Sequence, residues 1–151
     1  MTDLPDLPDD TARLWLMIRR VAGALDRTGE RLFQRELNQS LTQFLVLSVV
    51  DAHPGTLSQK VIADRLGLTK GTVSRQIDKA MRAGLITVAV SDRTRRENDV
   101  RLTDAGNALV RRGDAIFDAA RRTELPQLRA TDVAATLRTL AALDTWLNAS
   151  Q

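Results

Sequence analysis

The stretch at residues 56–102 constrains the fold of this chain more than any other. Ser58 and Thr69 each precede a short run in which apolar residues recur at helical spacing, and Gly67 separates the two runs. Ser and Thr are favoured at the N-caps of helices, and a turn containing Gly is typical of the helix-turn-helix motif. The sequence therefore predicts two short helices joined by a tight turn, the second of which ends near Gly84.

A small β-hairpin, or wing, is predicted directly after the second helix. A β-rich run at 86–90 is followed by an arginine-bearing loop and a return strand at 100–102. The segment from Ser58 to Arg101 carries ten basic and five acidic residues, a net charge of +5 in a chain whose net charge is +3. Positive charge is thus concentrated in the helix-turn-helix and the hairpin, as binding to phosphates requires.

The second helix of the motif has two distinct faces when about 100° is assigned to each residue. The apolar side consists of Val73, Ile77, Ala80 and Met81. The opposite, polar and basic side consists of Gly71, Thr72, Arg75, Lys79 and Arg82, with Gln76 on the flank. Such a face suits the major groove of DNA, in which Arg pairs with guanine and Gln with adenine. The alternative is an ordinary amphipathic surface helix with solvated charges.

Two apolar helices are predicted before the motif. The first covers about residues 11–34, is capped by Asp9 or Asp10, and is apolar nearly all round at its start. This pattern indicates either a helix wrapped around one core or a helix that also contacts a second subunit. The second helix, at 41–52, follows a Ser40-x-x-Gln43 capping box and is expected at the centre of the fold.

Two further helices are predicted after the hairpin. Thr103 caps a helix that runs to about residue 124, and Thr131 caps a last helix that runs to about residue 148. Both carry apolar residues at helical spacing. We expect these helices to pack together and against a second copy of the chain.

Composition excludes several classes of function. The chain has 151 residues, no Cys and one His, which excludes disulfides, cysteine-based metal sites and a histidine metal cluster. No apolar run reaches the ~18 residues of a transmembrane helix, and no signal peptide is visible. No nucleophile elbow, phosphate-binding glycine loop or metal motif is present. We therefore expect a cytoplasmic protein that is not an enzyme and has no cofactor.

The strings ADRLGLTKGTVSRQIDKAMRAGLI and RTRRENDVRLTDAG resemble the MarR family of bacterial winged-helix regulators, and the resemblance extends over about residues 12–148. It implies a homodimer joined by its terminal helices, with each recognition helix in a major groove of double-stranded DNA and each wing in a minor groove. The predicted fold class is mainly α: a winged helix-turn-helix lobe at 37–102, flanked by dimerisation helices at 11–36 and 103–151, with a mobile arm at 1–10.

Carried over residue by residue, the resemblance assigns DNA contacts to the recognition helix and to the wing. The helix residues are Lys70, Thr72, Ser74, Arg75, Gln76 and Lys79, and the wing residues are Arg93, Arg95 and Arg96. Thr94 stands where the family commonly has Asp, which leaves two alternatives. Either Asp92 or Asp78 pairs with a wing arginine in its place, or the wing is looser.

The resemblance also implies a regulatory function. Family members usually repress transcription, and many release DNA on binding a small, often aromatic or anionic, effector. Trp15, Phe44 and Phe117 are candidates to line the effector pocket, or they fill the core or an interface, as aromatic residues at helical spacing usually do. We thus predict a homodimeric repressor of a near-palindromic operator, released by a small molecule. The alternative is a winged-helix protein-interaction module that binds no operator.

Overall fold

The computed structural model describes residues 9–53, 57–90, 98–124 and 128–149. In chain order the elements are α1 (Asp10–Leu37), α2 (Leu41–Asp51), α3 (Gln59–Leu66), α4 (Lys70–Arg82), β1 (Ile86–Val90), β2 (Asn98–Leu102), α5 (Asp104–Glu124) and α6 (Ala130–Ala149). This mainly helical fold with one two-stranded antiparallel hairpin confirms the predicted fold class. In the described parts of the chain, no helix has the length and apolar character needed to cross a bilayer.

Side-chain caps fix the start of most helices, as the sequence predicts. In each case an oxygen of the capping residue accepts a hydrogen bond from the backbone N–H three residues later. The bonds are Asp9 to Ala12 (2.7 Å), Ser40 to Gln43 (3.1 Å), Ser58 to Val61 (3.2 Å), Thr69 to Thr72 (3.2 Å) and Thr103 to Gly106 (3.1 Å).

Three boundaries differ from the prediction. Helix α1 continues to Leu37 and ends at Asn38, which adopts the left-handed conformation (φ 52°) that Asn tolerates at a helix C-terminus. Strand β2 begins at Asn98, two residues early, because it pairs along the whole of β1. Thr131 is not a cap: α6 already begins at Ala130, and the backbone oxygen of Arg129 accepts from Asp132.

The predicted capping box at the start of α2 is correct in its first half and wrong in its second. Ser40 accepts from the backbone of Gln43, but the side chain of Gln43 does not return to Ser40. It is fully buried and donates instead to the backbone oxygen of Gln76 in α4, at 3.3 Å. The free N–H of Leu41 is satisfied by Glu30 of α1, whose Oε2 lies 2.8 Å away. Packing between helices thus overrides the local motif.

The chain divides into two compact units, Met1–Ile116 and Phe117–Gln151. The core of the first unit joins α2, α3, α4, the hairpin and the start of α5; its largest fully buried aliphatic residues are Val46, Leu47, Leu57, Ile62 and Val73. Beside it, the rings of Phe33 and Phe44 lie 4.4 Å apart between centroids. In the second unit, no residue of α6 is buried. The predicted division into arm, lobe and dimerisation helices stays a prediction.

Candidate nucleic-acid interface

Helix α4 buries one face and exposes the other. Val73, Ile77 and Ala80 are almost completely buried against the core, as predicted. Met81 was placed on the same side, and this is wrong: its side chain is 45% exposed. At about 100° per residue Met81 lies about 80° from Val73, at the edge of the apolar stripe. The buried face is therefore narrower than the sequence pattern indicated.

The opposite face of α4 is exposed and cationic. Lys70, Arg75, Lys79 and Arg82 are exposed together with Gly71, whereas Thr72, Ser74 and Gln76 are half-buried. A Cβ on Gly71 would meet no atom within 4 Å, so the backbone of this turn is open to a close approach. At about 100° per residue, Arg75 and Lys79 share one side of α4 with Thr72, whereas Lys70 and Ser74 lie on the flank near Met81. Their contact with DNA stays a prediction.

Hydrogen bonds connect Thr69, Thr72 and Arg75 at the start of this face. The hydroxyl oxygens of Thr69 and Thr72 lie 2.9 Å apart, and Arg75 donates from Nη2 to the Thr72 hydroxyl at 3.3 Å. Thr69 therefore has two roles, because it also caps α4. The bond to the Thr72 hydroxyl places the guanidinium of Arg75 beside the first turn of α4.

Gln76 is placed less favourably for base reading than the sequence suggested. Its amide oxygen is buried and finds no hydrogen-bond donor among the described residues. Bidentate recognition of adenine uses both the oxygen and the nitrogen of the amide. Gln76 would therefore need a rotation of its side chain before it could read a base in this way.

The hairpin beside α4 has a regular antiparallel register. Ile86 pairs with Leu102 and Val88 with Val100, which places apolar residues on its inner face, whereas Thr87 and Arg101 form an exposed pair. The predicted wing arginines, Arg93, Arg95 and Arg96, and the carboxylate alternative Asp92 lie outside the described residues. Asp78, the other alternative, is exposed on α4.

Thr103 connects the segment after α4 to the start of α5 by hydrogen bonds. Its hydroxyl donates to the backbone oxygen of Gly84 at 2.7 Å and accepts from the backbone of Gly106 at 3.1 Å. Its own N–H donates to the oxygen of Leu85 at 3.0 Å. A Cβ on Gly106 would collide with that same oxygen, so the close approach requires glycine. The position of α4 relative to the start of α5 is set by this junction.

A cavity of about 700 Å³ lies in the first unit between α1, α2 and the turn after α3. Arg27, Arg31, Asp26 and Glu30 form its charged side, and Leu41, Thr42, Leu45, Leu66, Gly67 and Leu68 form the rest. No local sequence pattern indicates that these residues are neighbours, so the cavity could not be predicted from the sequence.

The three aromatic residues predicted to line a pocket do not line this cavity. Phe44 is 4% exposed and packs against Phe33, and a Cβ on Gly113 would collide with its ring, so Phe44 is a core residue. Trp15 is half-buried on α1, and Phe117 is 48% exposed in the second unit. A role for those two in a pocket stays a prediction.

The single histidine also has a contact that the sequence did not reveal. Nδ1 of His53, just after α2, lies 3.4 Å from Nη2 of Arg65 in α3. The pair helps to connect the two helices at the surface. Among the described residues, no group of three or more His, Asp or Glu side chains is placed to hold a metal ion.

Comparison with known proteins agrees with this geometry. A model of the MarR family matches residues 40–97, which include α2, α3, α4 and β1. No curated protein sequence matches the chain.

Three solved structures are similar over nearly their whole length. A MarR/EmrR family transcriptional regulator from Acinetobacter sp. ADP1 is 19% identical with a TM-score of 0.82, and the match covers 93% of this chain and 98% of that one. A MarR family transcriptional regulator from Streptomyces coelicolor, solved in complex with DNA, is 19% identical with a TM-score of 0.77 and coverages of 94% and 91%. CouR from Rhodococcus jostii RHA1, bound to p-coumaroyl-CoA, is 20% identical with a TM-score of 0.78 and coverages of 93% and 96%. The predicted resemblance is thereby confirmed: the helix-turn-helix segment matches the MarR family, and the chain has the fold of MarR family transcriptional regulators.

Proposed function

We propose that this protein is a homodimeric transcriptional repressor that binds a near-palindromic operator in double-stranded DNA and is released by a small molecule. The observation that carries the proposal is the exposed cationic face of α4, on which Thr72 holds Arg75 in place. An exposed arginine on such a face can donate its other N–H groups to a guanine edge. The solved relative that is in complex with DNA supports this assignment.

Exposed apolar residues support the dimer. On α1, Leu14, Met17, Val21 and Leu25 are all at least 37% exposed. On α6, Leu137 and Trp146 are about 60% exposed, and Val133, Leu140 and Leu147 are each exposed by more than a third. Several exposed apolar residues on one helix are typical of a protein–protein contact. We assign both helices to the contact with a second copy, whose two-fold symmetry would match a palindromic site.

The cavity in the first unit supports the release by a small molecule. Its leucine side chains offer an apolar wall, and its charged side carries both signs, Arg27 and Arg31 with Asp26 and Glu30. The apolar wall suits the aromatic part of a small effector, and the two arginines offer partners for an anionic group. It lies next to α2 and the turn before α4, so an occupant would contact the segment that carries the recognition helix. CouR, which shares the fold, is bound to p-coumaroyl-CoA.

Binding to selected DNA tests the proposal. Genomic fragments retained by the protein are sequenced, and a duplex carrying the shared site is compared with a scrambled duplex of equal composition by fluorescence anisotropy. We expect the selected duplex to bind at least about 10³-fold more tightly, and affinity for both duplexes to fall steeply as salt is raised.

Two results would contradict the proposal. Equal affinity for the two duplexes at all salt concentrations would indicate a module without operator recognition. Affinity that is independent of salt would exclude the cationic face of α4 as the contact surface. An inverted repeat in the selected fragments, with half-sites about one helical turn apart, would support the dimeric arrangement.

A further inference from the structure

The core of the first unit contains one buried polar side chain among the described residues, that of Gln43. It lies in the first turn of α2 with none of its surface exposed. An amide is costly to bury unless its donor and acceptor both find partners. The position of Gln43 in an otherwise apolar core therefore requires an explanation.

The contacts of Gln43 do not explain it as a stabilising residue. Its Nε2 donates to the backbone oxygen of Gln76 at 3.3 Å, but its own Oε1 finds no donor in the described part of the chain. A methionine of similar length would fill the same volume without an unpaired acceptor. The bond to α4 is therefore accompanied by a buried acceptor that no described donor satisfies.

The acceptor of this bond belongs to Gln76, on the flank of the face that we assign to DNA. Gln76 follows Arg75 directly, and the bond restrains the backbone of α4 at that point. A small rotation of α4 on α2 would displace the tip of the long Arg75 side chain further than its own backbone. Fixing α4 here fixes the direction in which Arg75 points.

We propose that Gln43 is a positioning residue for DNA recognition, which sets the rotation of α4 on α2; this inference rests on the DNA-binding function proposed above. The same turn of α2 connects α4 to the cavity. Leu41, two residues before Gln43, is held by Glu30, and both Leu41 and Glu30 line the cavity. A displacement of this turn at the cavity would therefore reach Gln76 through Gln43.

The variant Gln43→Met in the full-length protein tests the inference, with the selected and scrambled duplexes as probes. We expect affinity for the selected duplex to fall about tenfold, a loss comparable to one mismatched base pair. Affinity for the scrambled duplex should stay unchanged, because the charges are unchanged. The melting temperature should stay equal or rise, since an unpaired buried acceptor is removed. Gln39→Met, the same change in the loop before α2, is the matched control and should alter none of the three quantities.

A second variant keeps the inference testable if Gln43→Met does not fold. Glu30→Gln replaces the half-buried carboxylate that holds Leu41, and it should reduce discrimination between the duplexes in the same direction by a smaller factor. Full discrimination in whichever of the two variants folds would overturn the inference. A fall in melting temperature with equal losses for both duplexes would show a general role in folding and would also overturn it. If the wild-type protein itself does not distinguish the duplexes, the proposed function fails first, and the role of Gln43 fails with it.

Discussion

Arg75 is the residue whose replacement should reduce sequence-specific DNA affinity most selectively. It is exposed on α4 and ordered by the Thr72 hydroxyl at 3.3 Å. We expect Arg75→Ala to cost about 1–3 kcal/mol of affinity for the selected site and to relax discrimination at one base pair. Arg111→Ala, which removes an exposed arginine from α5, is the control. Anisotropy titrations against single-base variants of the site measure both, and equal losses in the two variants would contradict the assignment.

Gly113 should tolerate no side chain, for reasons that only the structure reveals. A Cβ at this position would run into the ring of Phe44 and lie 3.1 Å from that of Phe33. We expect Gly113→Ala to lower the free energy of unfolding by about 1–3 kcal/mol through overpacking. Gly71→Ala is the control, because a Cβ there meets nothing within 4 Å. Urea denaturation measures the difference; equal stability of the two variants would show that the ring packing yields without cost.

Among the helices and strands, the start of α4 combines a stabilising cap with the placement of Arg75. Thr69 both caps α4 and holds the Thr72 hydroxyl that orders Arg75. Thr69→Ala should therefore cost about 1 kcal/mol of stability and also reduce affinity for the selected duplex. Thr145→Ala is the control. The hydroxyl of Thr145 donates to the backbone oxygen of Ala141 inside α6, so we expect much smaller changes in stability and in affinity. Thermal denaturation combined with anisotropy checks both effects, and a loss of stability with unaltered affinity would separate the cap from the ordering of Arg75.

The same element shows why part of the fold was predictable. A cap, a helical apolar stripe and a glycine turn are local in sequence, so Ser58, Thr69 and Gly67 were sufficient to predict α3, α4 and the turn between them. Thr131 failed as a cap because a hydroxyl at the right spacing does not compel the backbone to stop there.

The contacts between helices and the cavity depend on which helices pack together, and no local sequence pattern indicates that. The bond of Gln43 to Gln76 joins residues far apart in the chain, as does that of Glu30 to Leu41. The cavity that these bonds border was consequently missed. For Phe44 the sequence leaves a pocket and the core both open, because spacing alone does not separate a core aromatic from a pocket aromatic; its packing under Gly113 shows the core.

For the whole molecule, the decisive test concerns the assembly. Leu137 is 61% exposed and Leu140 is 40% exposed on α6. The double variant Leu137→Glu/Leu140→Glu would place two charges in the proposed contact, where burying them unpaired is costly. We expect a monomer by sedimentation velocity and a large loss of affinity for the palindromic duplex. Thr136→Glu/Thr139→Glu adds the same charge to the same helix and is the control; a dimer that persists in the leucine variant would refute the assignment of α6.

The junction at Thr103 limits how such an assembly can change. One hydroxyl oxygen is shared between the segment after α4 and the first turn of α5, and Gly106 lets the chain at Leu85 lie directly against that turn. These contacts make α4 and the start of α5 one rigid unit. In the proposed dimer, an effector would therefore change the distance between the two recognition helices by rotating each α4 together with the start of α5, and not by bending the chain between them.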